Sequence, residues 1–235
     1  VAARLQALHQ MGHSTDKVEL IVLGGTWSDY PESYQYWFIK ELFRALNEWP
    51  NSPSHIQERL NWYTSFGLQN SEEALSSFVA EQQAAVFDDT ATYNQAFHKL
   101  YDTSQPHQNA WSQMQSTYDE LVEQQHVNET AAARVVGLVI ETRPDTITPD
   151  NLRMFRQLGC TKIQIGIQST RQEILDANQR QMNVAQIKRA FSLIRLYGFK
   201  IHSHLMVNLL GATPEADKRD FKTFVTDPGF LPDEI

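Results

Sequence analysis

The chain has 235 residues, of which 41% are hydrophobic, 11% aromatic and 20% charged, with a formal net charge of −8. That composition supplies one sizeable core and excludes a disordered chain. Its one cysteine, Cys160, excludes an internal disulfide and any multi-cysteine zinc or iron–sulfur site built from these residues alone, and no apolar run reaches the ~20 residues of a membrane span.

The amino end, VAARLQALHQMGH, lacks the apolar stretch of a secretory signal. An acidic chain is a poor starting point for nucleic-acid binding, but the charge is unevenly placed. Residues 1–50 hold 4 basic and 6 acidic residues, 51–130 hold 2 and 11, and 131–235 hold 14 and 11. Within 143–200 the count is 10 basic to 4 acidic, which leaves room for a local basic face or for ordinary solvated helix surfaces.

In chain order, Leu5, Leu8 and Met11 predict a helix over 1–12 stopped by Gly12. VELIVL (18–23), ended by Gly24-Gly25, predicts a short buried strand. Pro31-Glu32 opens a helix with Tyr34, Phe38, Leu42 and Leu46 at fourfold spacing, and Asn51-Ser52-Pro53-Ser54 is a break. Residues 54–128 are rich in Gln, Ser and Ala. Leu60, Leu75, Val79, Phe97, Leu100, Met114 and Leu121 recur there at helical intervals, so three or four helices and no strand are expected. RVVGLVIE (134–141) is the next strand, and a helix runs from Thr148-Pro149-Asp150 to near Gly159. A strand over 162–167, helices over 171–178 and 184–197, a strand over 200–207 and a helix from Thr213-Pro214-Glu215 to about Val225 complete the pattern. Strands alternating with helices imply parallel strands joined by crossovers, in an open sheet or part of a larger barrel. Three regions follow: 1–50 and 131–235 as two parts of one α/β unit, and 51–130 as a helical insertion. Both chain ends read as cuts.

Ligands of such folds gather at the carboxyl ends of the strands. At the first, Gly24-Gly25-Thr26 is either a tight strand exit or a place where a ligand meets free backbone N–H groups. At the second, Glu141 ends an apolar strand and would point into the site, where its carboxylate can accept ribose hydroxyls or an amine. Arg143 can pair with it or hold an anion. At the third, Gln164, Gly166 and Gln168 share one face, which suits a polar cofactor or simply a polar barrel interior. At the fourth, His202 and His204 share a face. They can ligate a metal, line a cofactor site or be structural, and no third and fourth metal ligands stand out. Cys160 lies at the amino end of its strand and reads as buried and inert, and His9 and His13 as surface residues. No P-loop, GxGxxG or nucleophile elbow is present.

Together these segments resemble a known family. MGHSTDKVELIVLGGTW (11–27), NETAAARVVGLVIETRPDTIT (128–148), LGCTKIQIGIQST (158–170), HLMVNLLGATPEADKRDF (204–221) and DPGFLPDEI (227–235) are similar to the radical S-adenosylmethionine (SAM) domain of the Elongator catalytic subunit and its bacterial and archaeal homologues. The resemblance covers roughly two thirds of the chain. It implies an α/β fold, a partial TIM-like (β/α)6 barrel with four of the strands here. It implies SAM over the strand ends, a 4Fe–4S cluster, acetyl-CoA on a fused acetyltransferase domain, and tRNA as substrate. It also implies Elongator-type partners or a homodimer, no membrane association and a cytoplasmic location. In that family the cluster reduces SAM to a 5′-deoxyadenosyl radical, and an acetyl-derived group is joined to C5 of the wobble uridine, giving carboxymethyluridine.

Residue by residue, the resemblance places Gly24, Gly25 and Thr26 at the methionyl amine and Glu141 near the ribose. Gln168 lines the cofactor site, with Gln164 a further candidate from its place on the same strand face; Arg180 sits at the methionyl carboxylate, and His204 and Asn208 lie on the strand beside it. Arg143, Arg153, Arg156 and Arg171 are candidate tRNA contacts. The sequence also departs from the pattern. The three cluster cysteines and the acetyltransferase domain are not in these residues, the helical block is longer, and Gln181-Met182 replaces an expected Gly-His. The isolated chain is therefore expected to be inactive. Two other readings stay open: a degenerate barrel serving as a scaffold subunit, and a metal-dependent hydrolase using His202 and His204.

Overall fold

The computed structural model describes residues 1–51, 56–68 and 71–235. The expected break at 52–54 lies outside the described residues. Helix α1 (Ala2–Gln10) precedes strand β1 (Lys17–Val22), and α2 (Glu32–Asn47) follows it. Next come α3 (Ile56–Ser65), α4 (Glu72–Phe87), α5 (Tyr93–Phe97) running into a π-helical turn at 98–102, α6 (Gln105–Ser112) and α7 (Tyr118–Asn128). The remainder alternates: β2 (Arg134–Thr142), α8 (Pro149–Gln157), β3 (Lys162–Gln168), α9 (Gln172–Ala177), α10 (Val184–Leu196), β4 (Lys200–Leu205) and α11 (Pro214–Thr226).

Local chemistry sets these starts. Thr148 and Thr213 each accept a backbone N–H at the head of α8 and α11, with proline at the first turn. Thr117 and Asn183 form reciprocal capping boxes at α7 and α10.

The four strands form one parallel sheet in the order β1-β2-β3-β4. One face is apolar and covered by helices. Leu138 and Ile140 of β2, Ile163, Ile165 and Ile167 of β3, and Ile201 of β4 are fully buried there. They pack with Ile39 and Phe43 of α2, Leu121 of α7, Leu152 and Phe155 of α8, Ile187 and Phe191 of α10, and Phe224 of α11. The other face carries polar side chains. Lys162 bridges Glu19 at 3.1 Å and Glu234 at 2.9 Å on that side.

Four expectations change. Among the described residues the helical block holds five α-helices and a π-helical turn rather than three or four helices. β1 is an edge strand rather than a buried one, with Ile21 and Leu23 exposed, because only β2 flanks it. On α2 the buried face is Tyr36, Ile39, Phe43 and Leu46; the Tyr34–Phe38–Leu42 stripe flanks it, half-buried. In the helical block Leu121 is core, but Leu75 and Phe97 are exposed. Helix α7 packs along α2, and buried Asn128 locks the junction. It donates to Asn47 Oδ1 at 2.7 Å and to the Ala133 carbonyl at 3.0 Å, and accepts the Val135 N–H at 2.8 Å.

Cys160 is buried at the amino end of β3, its thiol 3.2 Å from the Lys162 carbonyl. Burial pushes the thiol up from 9.0 to about 12. The native thiol should therefore resist a disulfide reagent at about pH 8 and react fully only in denaturant. Rapid labelling of the folded protein would contradict this. The same shift leaves stability untouched below 9.0 and erodes it as pH rises from there toward 12, because the unfolded chain gives up the proton first.

Candidate functional site

The site is built at the carboxyl edge of the sheet. Beyond β1, Gly24 (φ 100°) and Gly25 (φ 69°) turn the chain sharply, and a side chain at Gly24 would meet only open space. Left-handed backbone favours glycine here, and it leaves N–H groups without strand partners. One of them is used: Gly24 N–H donates to Glu141 Oε2 at 3.3 Å. The β1 turn and the β2 carboxylate thus meet across 117 residues of sequence.

Strand register aligns the rest. Glu141 is opposite Gln164, Gln164 opposite His202, and Gly166 opposite His204. Paired residues on adjacent strands share a face, so these side chains line the polar side of the sheet. Gln164 Nε2 and His204 Nε2 are 3.1 Å apart, and the two histidine rings lie 4.8 Å apart. Burial and the neighbouring His204 hold His202 below the usual imidazole range.

Gln168 ends β3 in left-handed backbone, φ 69°, at a register shift against β4. A non-glycine residue held there carries local strain, a pattern that clusters at functional sites. Its side chain folds back over Gly166, where an added Cβ would come within 2.9 Å of Gln168 Nε2. Its Oε1 is buried and has no hydrogen-bond partner.

Just beyond, buried Asp220 of α11 accepts Ser169 Oγ at 2.5 Å and the Thr170 N–H at 2.7 Å, and it also takes the Thr170 hydroxyl. This clamp fixes the end of β3 to α11. Sequence reading missed it, because nothing in Ser169-Thr170 signals a partner 50 residues away.

Over residues 109–223 the chain matches the model of the radical SAM superfamily. It is 30% identical to a tRNA uridine(34) acetyltransferase of Methanocaldococcus infernus over 99% of its length and 31% of that protein's. It is also 30% identical to the Dehalococcoides mccartyi protein of that name, over its full length and 37% of that protein's. Human Elongator complex protein 3 is 26% identical over 99% of the chain and 30% of its own length. The solved structure of archaeal M. infernus Elp3 lacking residues 1–46 superposes with a TM-score of 0.67, at 30% identity, covering 99% of this chain and 39% of that one. This chain is similar to a radical SAM segment of the Elongator catalytic-subunit proteins. It spans about a third of the length of the curated relatives it matches. Its four-stranded parallel sheet and flanking helices share the fold of the M. infernus structure.

The family implies SAM and a 4Fe–4S cluster. The residues at the strand ends fit SAM: a carboxylate, a glycine turn, an orphaned buried amide oxygen and a histidine lie toward the carboxyl ends of the strands. They do not fit a cluster. The single cysteine is buried at the opposite end of the strands and holds its proton.

The other named residues divide. Thr26 follows the glycine turn and heads a short turn at Trp27–Asp29. Arg180 lies in the loop after α9, its Nε buried and unpartnered. Asn208 lies beyond the end of β4 rather than on it, in left-handed backbone with its N–H on Asp217 at 2.9 Å, because β4 stops at Leu205. Arg143 pairs with Asp145 at 2.8 Å rather than with Glu141. Arg153 pairs with Asp150, and Arg171 with Glu173. Arg156 is exposed but tied to backbone carbonyls. It donates to the Tyr197 carbonyl at 2.8 Å and the Cys160 carbonyl at 3.2 Å, and lies 3.9 Å from the centre of the Phe199 ring. These contacts use three of its five N–H donors, leaving two on an exposed side chain.

Among the described residues no helix is long and apolar enough to cross a membrane.

Proposed function

We propose that this chain is the SAM-binding part of a tRNA-modifying radical SAM/acetyltransferase enzyme that makes 5-carboxymethyluridine at the wobble position. The observation that carries the reading is the junction of Gly24 N–H with the Glu141 carboxylate, together with the unpartnered Gln168 amide oxygen at the end of β3. It occurs in a chain aligned end to end with proteins named tRNA uridine(34) acetyltransferase. In this reading Glu141 accepts ribose hydroxyls, Gly24, Gly25 and Thr26 face the methionyl amine, and Gln164, Gln168 and His204 line the cofactor. Arg180 supplies its unused N–H to the methionyl carboxylate, and Asn208 lies at the margin. SAM, when bound, supplies the family's radical chemistry. The ligands of a 4Fe–4S cluster and the acetyl-CoA site belong to parts of the protein outside these residues, and the setting is cytoplasmic.

Residues 1–50 and 131–235 act as barrel and 51–130 as a helical insertion anchored through α7. Elongator-type subunits or a second copy are the protein partners. The tRNA approaches the basic 143–200 region through Arg143, Arg153, Arg156 and Arg171. Titration of the intact protein with SAM, together with mass spectrometry of the wobble uridine in cells lacking it, tests the reading. Absence of SAM binding, or an unchanged nucleoside, would overturn it. The hydrolase reading is weaker: among the described residues no group of three or more His, Cys, Asp or Glu is placed to hold a metal.

Gly166→Ala separates binding from folding. The new methyl group displaces the Gln168 amide, a side-chain end that can move cheaply, so SAM affinity should fall about five- to tenfold with melting nearly unchanged. Equal SAM affinity in the variant would remove Gln168 from the site.

A further inference from the structure

Next to the glycine turn the helical block opens a cleft that plays no part in the reading above. Two groups of rings line it. In the first, Tyr34 and Trp111 stack at 4.4 Å with 21° between their planes, and Tyr30 lies 5.1 Å from Tyr34. In the second, Phe97 lies 4.8 Å from Tyr101, which meets His107 edge-on at 5.1 Å. The cleft has a volume of about 780 Å³, the size of a small-ligand site. Tyr30 also reaches the other site, its hydroxyl 3.8 Å from the position of a side chain at Gly25.

The electrostatics of the cleft are one-sided. Of the described residues lining it, Asp102 is the one with a formal charge at neutral pH, and no lysine or arginine lines it. Asp102 Oδ2 meets His98 Nδ1 at 2.9 Å. Burial, with Tyr30 and Tyr63 adding to it, pushes the Tyr34 phenol up, so it stays neutral. The segment 51–130 carries 2 basic and 11 acidic residues. Of its two cations, Lys99 pairs with Glu81 at 3.1 Å and Arg59 lies over Trp62 and Tyr63.

Aromatic faces present negative charge, and they bind cations that shed water easily. A phosphate or carboxylate ligand would find no cationic partner here and would face Asp102. A nucleic-acid strand would have to approach the most acidic part of the chain. We propose that this cleft binds a small alkylammonium cation, held by the rings around Tyr34 and Trp111 and by Asp102. The proposal stands apart from the reading of the strand ends and does not need SAM to bind.

The test is titration of the intact protein with tetramethylammonium and with choline, followed by calorimetry and tryptophan fluorescence. 3,3-Dimethylbutan-1-ol, the uncharged isostere of choline, and uridine serve as comparisons. Saturable binding of both cations is expected, with the isostere about tenfold weaker or more. Trp111→Leu and Asp102→Asn should each weaken choline binding about fivefold or more, while SAM affinity stays unchanged. The isostere comparison needs no variant, so it stands even if Trp111→Leu folds poorly. Equal affinity for the isostere, no saturable binding of either cation, or tighter binding of uridine would each overturn the proposal.

Discussion

Replacing Glu141 with alanine in the intact protein is expected to weaken SAM binding by about ten- to a hundredfold. A hydrogen bond to a charged group contributes about 1.5–3 kcal/mol, and each 1.4 kcal/mol is about tenfold in affinity. Glu141 lies near the end of β2 on the polar face of the sheet and holds one oxygen on Gly24 N–H. The loss has two parts. The carboxylate that would accept the ribose hydroxyls is gone, and the glycine turn loses the contact that ties it to β2. Glu141→Gln separates them. It keeps an acceptor for Gly24 but carries no charge, so it should recover part of the affinity. The fold should tolerate both changes, because the contact lies at the exposed rim of the site. Calorimetry on the wild type and both variants reads the result. Wild-type affinity in Glu141→Ala would exclude the carboxylate from the site.

Asp220→Ala should produce the largest loss of stability, about 3 kcal/mol. The substitution strands the Ser169 hydroxyl and both donors of Thr170 in a buried site, and each unmet buried group costs about 1–3 kcal/mol before relaxation or water entry. At about 2–4 °C per kcal/mol for a chain of this size, the melting temperature should fall by about 6–12 °C. Asp220→Asn keeps one acceptor oxygen and should lose about half as much. The clamp also fixes the strand end that carries Gln168, so SAM affinity should fall in Asp220→Ala even at temperatures where it is folded. Phe224→Leu, a core change on the same helix, should lower stability without that loss. A drop below about 1 kcal/mol, or identical behaviour of the alanine and asparagine variants, would show that the clamp does not bear on the fold.

Much of the architecture was legible because it follows from short-range chemistry. Thr148-Pro149 and Thr213-Pro214 mark helix starts, since a threonine side chain accepts an orphan N–H and proline needs none. Alternation in KIQIGIQ sends the isoleucines to the helix-covered face and the glutamines to the other. The same alternation placed Glu141 at the polar rim. The errors came where a third element decides. In the apolar stripe of α2, Leu46 is core but Tyr34, Phe38 and Leu42 only flank it, because α7 and the sheet select which residues are covered. β1 looked buried from its composition, yet burial depends on how many strands flank it. Asn208 looked like a strand residue, and the turn that follows Leu205 removed it.

By itself the sequence determined the parallel α/β order, the polar and apolar faces of the strands, the uneven charge and the family resemblance. Each of these depends on residue type and spacing along the chain. Only the tertiary structure decided that Gly24 meets Glu141, that Asp220 holds the end of β3, and that Tyr34 stacks on Trp111 beside Asp102. Those contacts join residues 117, 50 and 77 positions apart. No local propensity encodes them. They arise when the crossovers bring the strand ends and the helical block to the same edge of the sheet.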